Sequence, residues 1–104
     1  MKRITYEKLA TDPSLKDMRV IDVREQDEYD EVHVIGVELF PLSRLQKGEL
    51  PAQDGREVGV ICRSGARSQV ACEILEQAGW RECSNIEGGT LAAIQFDPDQ
   101  VEGA

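Results

Sequence analysis

Cys62 closes the apolar run Val58-Gly59-Val60-Ile61, and Arg63-Ser64-Gly65-Ala66-Arg67-Ser68 follows it directly. A cysteine acts as a nucleophile in its thiolate form, which cationic neighbours and a helix N-terminus both favour. Between Val58 and Cys72 there are two arginines and no acid, although the chain carries 20 Asp and Glu. Arg63 and Arg67 are permanent cations whose planar forks suit an oxyanion. Gly65 admits positive φ and leaves space for a ligand. Ser64 and Ala66 add little bulk. Successive amides in such a loop converge on one point, and a helix starting behind them adds partial positive charge. This order fits a cradle that holds Cys62 as S⁻, or as a persulfide, and attracts a small anionic donor. A plain core cysteine is the alternative, but it has no use for the Arg-Ser-Gly-Ala-Arg run after it.

Such a loop needs a strand to deliver the thiol and a helix to cap it. Val58–Ile61 reads as the strand. Residues 66–78 read as the clearest helix, with Val70, Ala71, Ile74, Leu75 and Ala78 at i, i+3, i+4 spacing and Gly79 as its C-terminal stop. Upstream, Lys2-Arg3-Ile4 predicts a short strand. Thr5 then caps a brief helix that breaks at Asp12-Pro13. Arg19–Val23 has the apolar run of a buried parallel strand. Glu25–Glu31 predicts a short polar helix or turn, Val34–Phe40 another strand, and Leu42–Leu45 a helix start capped by Ser43. Ser84-Asn85-Ile86 predicts a weak last strand, and Gly88-Gly89 leads into a short helix. The acidic stretch 97–104 reads as a frayed tail. Strands alternating with helices predict an α/β fold: a central, mostly parallel sheet of about five strands with helices on both faces. Ligands in such sheets sit beyond the strands' carboxyl ends. Cys62 lies at such an end, and so do Asp22 to Arg24.

A chain of 104 residues fits one domain over 1–104 and can bury a core without disulfides. Three cysteines without framework spacing fit reduced thiols. With no Cys-x-x-Cys pair and a single histidine, a metal site is not expected. The formal charge of −8 argues against nucleic acid as a partner. No apolar run is long enough to span a membrane, and Met-Lys-Arg-Ile-Thr-Tyr-Glu has no apolar signal core. The expected compartment is the cytoplasm.

With the loop in its setting, the chain resembles the single-domain rhodanese-like sulfurtransferases from about Ile4 to Ile94. Val20-Ile21-Asp22-Val23-Arg24-Glu25 with Glu28-Tyr29 is similar to the family's first signature, and His33-Val34-Ile35-Gly36-Val37 to its second. Cys62-Arg63-Ser64-Gly65-Ala66-Arg67-Ser68 is similar to its active-site loop, and Gly79-Trp80 and Glu87-Gly88-Gly89 to its closing features. Ile35 and Val37 stand where the family commonly has Pro and Ala. Ala92-Ala93-Ile94 occupies a stretch that a Trp often closes. The resemblance implies ping-pong transfer of a sulfane sulfur, often from thiosulfate, to cyanide, a thiol or a protein cysteine. Cys62 would carry the persulfide, with residues 63–67 holding it and the donor. No metal or organic cofactor is implied.

The remaining polar residues read as support. Asp22 and Arg24, with Glu28 nearby, read as an ion-pair network rather than as catalysts. His33 reads as a structural histidine, because thiolate attack on sulfur demands little proton transfer. Cys72 reads as a small core residue, Cys83 as partly exposed, and Trp80 as a cover for the core edge. Two rival functions stay open. Cysteine phosphatases and arsenate reductases also use a cysteine loop, with Cys-x5-Arg spacing in the phosphatases, whereas Arg67 here gives Cys-x4-Arg and a smaller bowl. The second rival is a non-catalytic interaction module on the same fold.

Overall fold

The computed structural model describes residues 1–103. Its elements run β1 (Lys2–Thr5), α1 (Tyr6–Thr11), β2 (Arg19–Asp22), α2 (Gln26–Glu31), β3 (His33–Val34) and β4 (Glu38–Leu39). Then come α3 (Leu42–Gln46), β5 (Val58–Ile61), α4 (Ala66–Gln77), β6 (Ser84–Glu87), α5 (Gly89–Phe96) and β7 (Val101–Glu102). Five strands form one sheet in the order β1-β6-β5-β2-β4, and every pairing in it is parallel. β5 lies at the centre, in register Val58↔Arg19 through Ile61↔Asp22 with β2. A buried central strand meets apolar neighbours on both faces, which is why Val58–Ile61 is an unbroken apolar run.

Alternation along the strands divides the core in two. Ile21, Val23, Val58, Val60 and Cys62 pack with Leu42 and Leu45 of α3 and with Ala71, Cys72 and Leu75 of α4. Ile61 and Ile86 point the other way, against Tyr6 of α1 and Ala93 of α5. The expected α/β architecture with helices on both faces is the one observed.

Four local expectations are corrected. Val34–Phe40 is not one strand. The chain turns at Gly36, where φ is +91°, and β3 and β4 belong to different sheets. Ser43 does not cap α3; Pro41 holds that position, and Ser43 Oγ donates to Glu25 Oε1 at 2.9 Å. The stretch from residue 97 is not frayed. Pro98–Gln100 form a 3₁₀ turn, and β7 pairs antiparallel with β3, His33 opposite Glu102 and Val34 opposite Val101. Val101 packs on the Tyr6 cluster, which gives this short strand its apolar anchor. Ala104, the end of the expected tail, lies outside the described residues. Cys83 is fully buried rather than partly exposed. Trp80 is buried as expected, with the Arg19 guanidinium over its ring at 5.8 Å. Among the described residues, no helix is long and apolar enough to cross a membrane.

Candidate active site

β5 ends at Ile61 and α4 begins at Ala66, so Cys62 to Gly65 make the whole turn between them. Gly65 closes it with φ +121°, a conformation that L side chains resist. That closure swings the Gly65 amide back onto the Cys62 sulfur, where it donates at 3.1 Å. The thiol in turn lies 3.4 Å from Ser68 Oγ, on the first turn of α4. Burial pushes the thiol pKa up. Hydrogen bonding with the Ser68 hydroxyl and with the Ser68, Gly65 and Ser64 amides outweighs that effect, and the net direction is down. Cys62 is 1% exposed, yet its sulfur faces hydrogen-bond donors. A cysteine sealed in hydrocarbon would shift the other way.

The floor of the loop is tied to two neighbouring elements. Ser68 Oγ donates to Asn85 Oδ1 at 2.5 Å, and Asn85 Nδ2 donates to the Gly65 carbonyl at 3.1 Å. Asn85 stands on β6 and is buried. On the same side, the Thr90 and Leu91 amides of α5 donate to the Cys62 and Arg63 carbonyls at 2.9 and 3.1 Å. The sequence reading assigns neither Ser68 nor Asn85 a role. For Ser68 the signal is its place six residues after Cys62, on the helix turn that faces the thiol. For Asn85 there is no local signal, because only the parallel pairing of β5 and β6 brings it under the loop.

The two arginines have separate fates. Arg63 is exposed and makes no ion pair among the described residues. Arg67, expected to bind a donor alongside it, pairs with Glu28. Its guanidinium is held in a fork by Glu28, Nη1 to Oε1 at 2.7 Å and Nη2 to Oε2 at 2.9 Å. The geometry is the bidentate one that Arg and carboxylate favour. The Glu25 amide also donates to Glu28 Oε1, at 3.2 Å. The Arg67 fork and this amide hold the Glu28 carboxyl down to about 2, against the smaller upward push of burial.

Asp22, Arg24 and His33, expected as support near the loop, take their side-chain partners outside it. Asp22 is fully buried and accepts from the Arg24 amide at 3.0 Å and from Arg24 Nε and Nη2 at 3.1 and 2.8 Å. Arg24 Nη2 also reaches the Val32 carbonyl at 2.7 Å, so this pair staples the end of β2 to the end of α2. His33 Nδ1 donates to the Tyr29 carbonyl at 2.7 Å, and Nε2 faces Glu102 Oε1 at 3.0 Å. Its ring stacks on Tyr29 at 3.8 Å. Those partners lie on α2 and β7, not in the cysteine loop. Cys72 is buried in the core with Cys83. Among the described residues, no three His, Cys, Asp or Glu side chains gather into a metal-holding group.

The family model described as "Rhodanese-like domain" matches residues 5–94, nearly the whole chain. The chain belongs to the rhodanese-like domain family. Several relatives of this rhodanese-like domain are named for sulfur transfer. The thiosulfate sulfurtransferase GlpE of Coxiella burnetii is 31% identical over 74 residues, covering 71% of this chain and 69% of GlpE. YrkF of Bacillus subtilis, whose name proposes a sulfur carrier, is 32% identical over 83 residues. That match covers 80% of this chain but only 43% of YrkF, so the chain spans less than half of that relative's length. Among solved structures, a rhodanese-related protein from Thermoplasma volcanium superposes with a TM-score of 0.80 at 28% identity. The match covers 93% of this chain and 94% of that one.

Proposed function

We propose that this rhodanese-like domain is a sulfurtransferase that carries sulfane sulfur as a persulfide on Cys62. The donor is thiosulfate or a similar small anionic sulfur compound. The acceptor is thiophilic: cyanide, a thiol or a protein cysteine. One observation carries the reading: the Gly65 amide and the Ser68 hydroxyl both meet the Cys62 sulfur, at the carboxyl end of the central strand.

The reaction splits into two displacements on sulfur. In the first, Cys62–S⁻ attacks the outer sulfur of thiosulfate. A new S–S bond forms, the bond to the sulfonate sulfur breaks, and sulfite leaves with that electron pair. Cys62–S–S⁻ remains, and the charge balances. In the second, cyanide or a thiolate takes the outer sulfur and Cys62–S⁻ is restored. No proton must move in the thiosulfate-to-cyanide cycle, which agrees with the placement of His33 among partners outside the loop. The loop amides are donors fixed in advance around a negative sulfur, so little reorganisation is needed as charge moves between the two sulfurs. The commitment of Arg67 to Glu28 also weighs against a phosphatase, which needs that arginine turned onto its substrate.

The test uses the purified chain. Incubation with thiosulfate should add one sulfur atom to Cys62 by mass spectrometry, and cyanide should then yield thiocyanate. Cys62→Ser should lose both signals. Phosphatase turnover without sulfur loading would reassign the chain. Inactivity in both assays would favour the interaction module.

A further inference from the structure

The loop's two cations are not equivalent, and the residue that separates them is Glu28. Its carboxylate lies on α2 and reaches across to α4, closing the fork on Arg67 described above. Its depressed pKa keeps it ionised at any working pH. The pair is therefore electrically neutral. Arg67 immediately precedes Ser68, whose hydroxyl lies 3.4 Å from the Cys62 sulfur, so the neutralised pair stands on the helix turn that faces the thiol. Arg63 is left as the loop's one unpaired cation among the described residues.

We propose that Glu28 is a specificity-determining residue that sets the charge of the sulfur donor. By withdrawing Arg67 it weakens the site for a dianion such as thiosulfate. It tunes the site toward sulfane sulfur carried on a donor of one negative charge or none, the persulfide of a thiol. The surrounding charge works in the same direction. The chain's net charge is −8, and α2 presents Asp27, Asp30 and Glu31 beside the pair, none of them in an ion pair among the described residues. A doubly charged donor approaches through that field with one free guanidinium to meet it. With a persulfide donor R–S–SH, Cys62–S⁻ attacks the outer sulfur and the R–S bond to that sulfur breaks. R–S⁻ leaves with the electron pair and takes up the donor's proton, and Cys62–S–S⁻ remains. The inference deepens the sulfurtransferase reading and rests on it.

The decisive experiment compares two donors on wild type, Glu28→Gln and Arg63→Gln. One donor is thiosulfate; the other is the persulfide of 2-mercaptoethanol, whose organic part is uncharged. The amide introduced by Glu28→Gln keeps a hydrogen-bond acceptor for Arg67 and loses the charge. In that variant, kcat/KM for thiosulfate should rise about three- to tenfold, carried by KM with kcat held, and the gain should shrink as salt is raised. The persulfide value should stay within about twofold. Arg63→Gln, an exposed substitution that does not touch α2, should raise the thiosulfate KM by a similar factor and the persulfide KM by less, so the donor ratio moves the opposite way. An unmoved donor ratio in Glu28→Gln overturns the proposal, as does a fall in that variant's thiosulfate kcat/KM. Mass spectrometry of Cys62 separates the two levels. Loading by both donors with an unchanged ratio sinks only the role of Glu28, whereas no loading by either donor sinks the sulfurtransferase reading with it.

Discussion

The Thr90 amide donates to the Cys62 carbonyl at 2.9 Å, and the Thr90 hydroxyl donates to the same oxygen at 3.1 Å. The backbone of Cys62 is thus fixed from α5, while its sulfur is fixed from the loop leading to α4. This contact requires Gly89, which sits at φ +56° with its α-carbon pressed against the loop. A methyl group there would meet the carbonyl oxygens of Cys62 and Arg63, backbone atoms that have no room to yield. Gly89→Ala should cost about 2–4 kcal/mol through strain and collision. It should also lower sulfur loading more than the lost stability explains. Denaturant unfolding beside single-turnover loading checks both. A variant with wild-type stability and loading would show that the contact is incidental.

Ser68 lies 3.4 Å from the sulfur and is the side chain most responsible for lowering the Cys62 pKa. A Cys62 thiolate can only accept, so a bond between them would need this hydroxyl to donate to the sulfur in place of Asn85 Oδ1. Ser68→Ala removes that donor and leaves the backbone amides in place. Burial then counts for more, and the thiol pKa moves upward. Alkylation of Cys62 by iodoacetamide at pH 7 should slow about three- to tenfold, with the pH profile displaced to higher pH. An unchanged profile would assign the stabilisation to the amides alone.

What can be read from the chain follows from how local each signal is. Cys62, Gly65 and the start of α4 lie within five residues, so strand, turn and helix signals overlap there and the loop is legible. The Glu28–Arg67 pair is not. It joins residues 39 apart in sequence, and an acid in a polar helix ordinarily faces water. Asn85 is hidden for a similar reason, since its place under the loop depends on sheet register. At Gly36 two signals compete. β-branched residues on both sides outweigh, in the sequence, a glycine whose positive φ ends β3 in the fold. β7 is two residues long in an acidic stretch, too short to show alternation. Its pairing rests on contacts that Val101 and Glu102 make with residues near position 33.

Asp22 and Arg24 form a buried pair, with Asp22 fully inaccessible and Arg24 3% exposed. Asp22→Asn keeps the shape and removes the charge that offsets the guanidinium. A buried cation left without its partner typically costs about 3–5 kcal/mol. The effect should appear as a large fall in Tm. Sulfur loading at low temperature should be retained, because neither residue contacts the Cys62 sulfur. Loss of loading in a protein that remains folded would move Asp22 from a bracing to a catalytic role.

Glu28 gives the chain a specific acid sensitivity. Its carboxyl titrates at about 2 in the folded state, against an ordinary value of 4.5, chiefly through the Arg67 fork. The unfolded chain therefore binds a proton at Glu28 before the folded one does as pH falls. The stability from this group is fully present above pH 4.5 and is lost as pH drops toward 2. Both side chains are about a third exposed, so solvent screening limits the contribution to about 1–2 kcal/mol. In Glu28→Gln that contribution is missing at every pH. Urea unfolding of the two proteins should differ by this amount at pH 7, and the curves should converge as pH falls from 4.5 toward 2. A difference that stays constant over that range would mean that the fork stabilises by packing and hydrogen bonding rather than by the charge on Glu28.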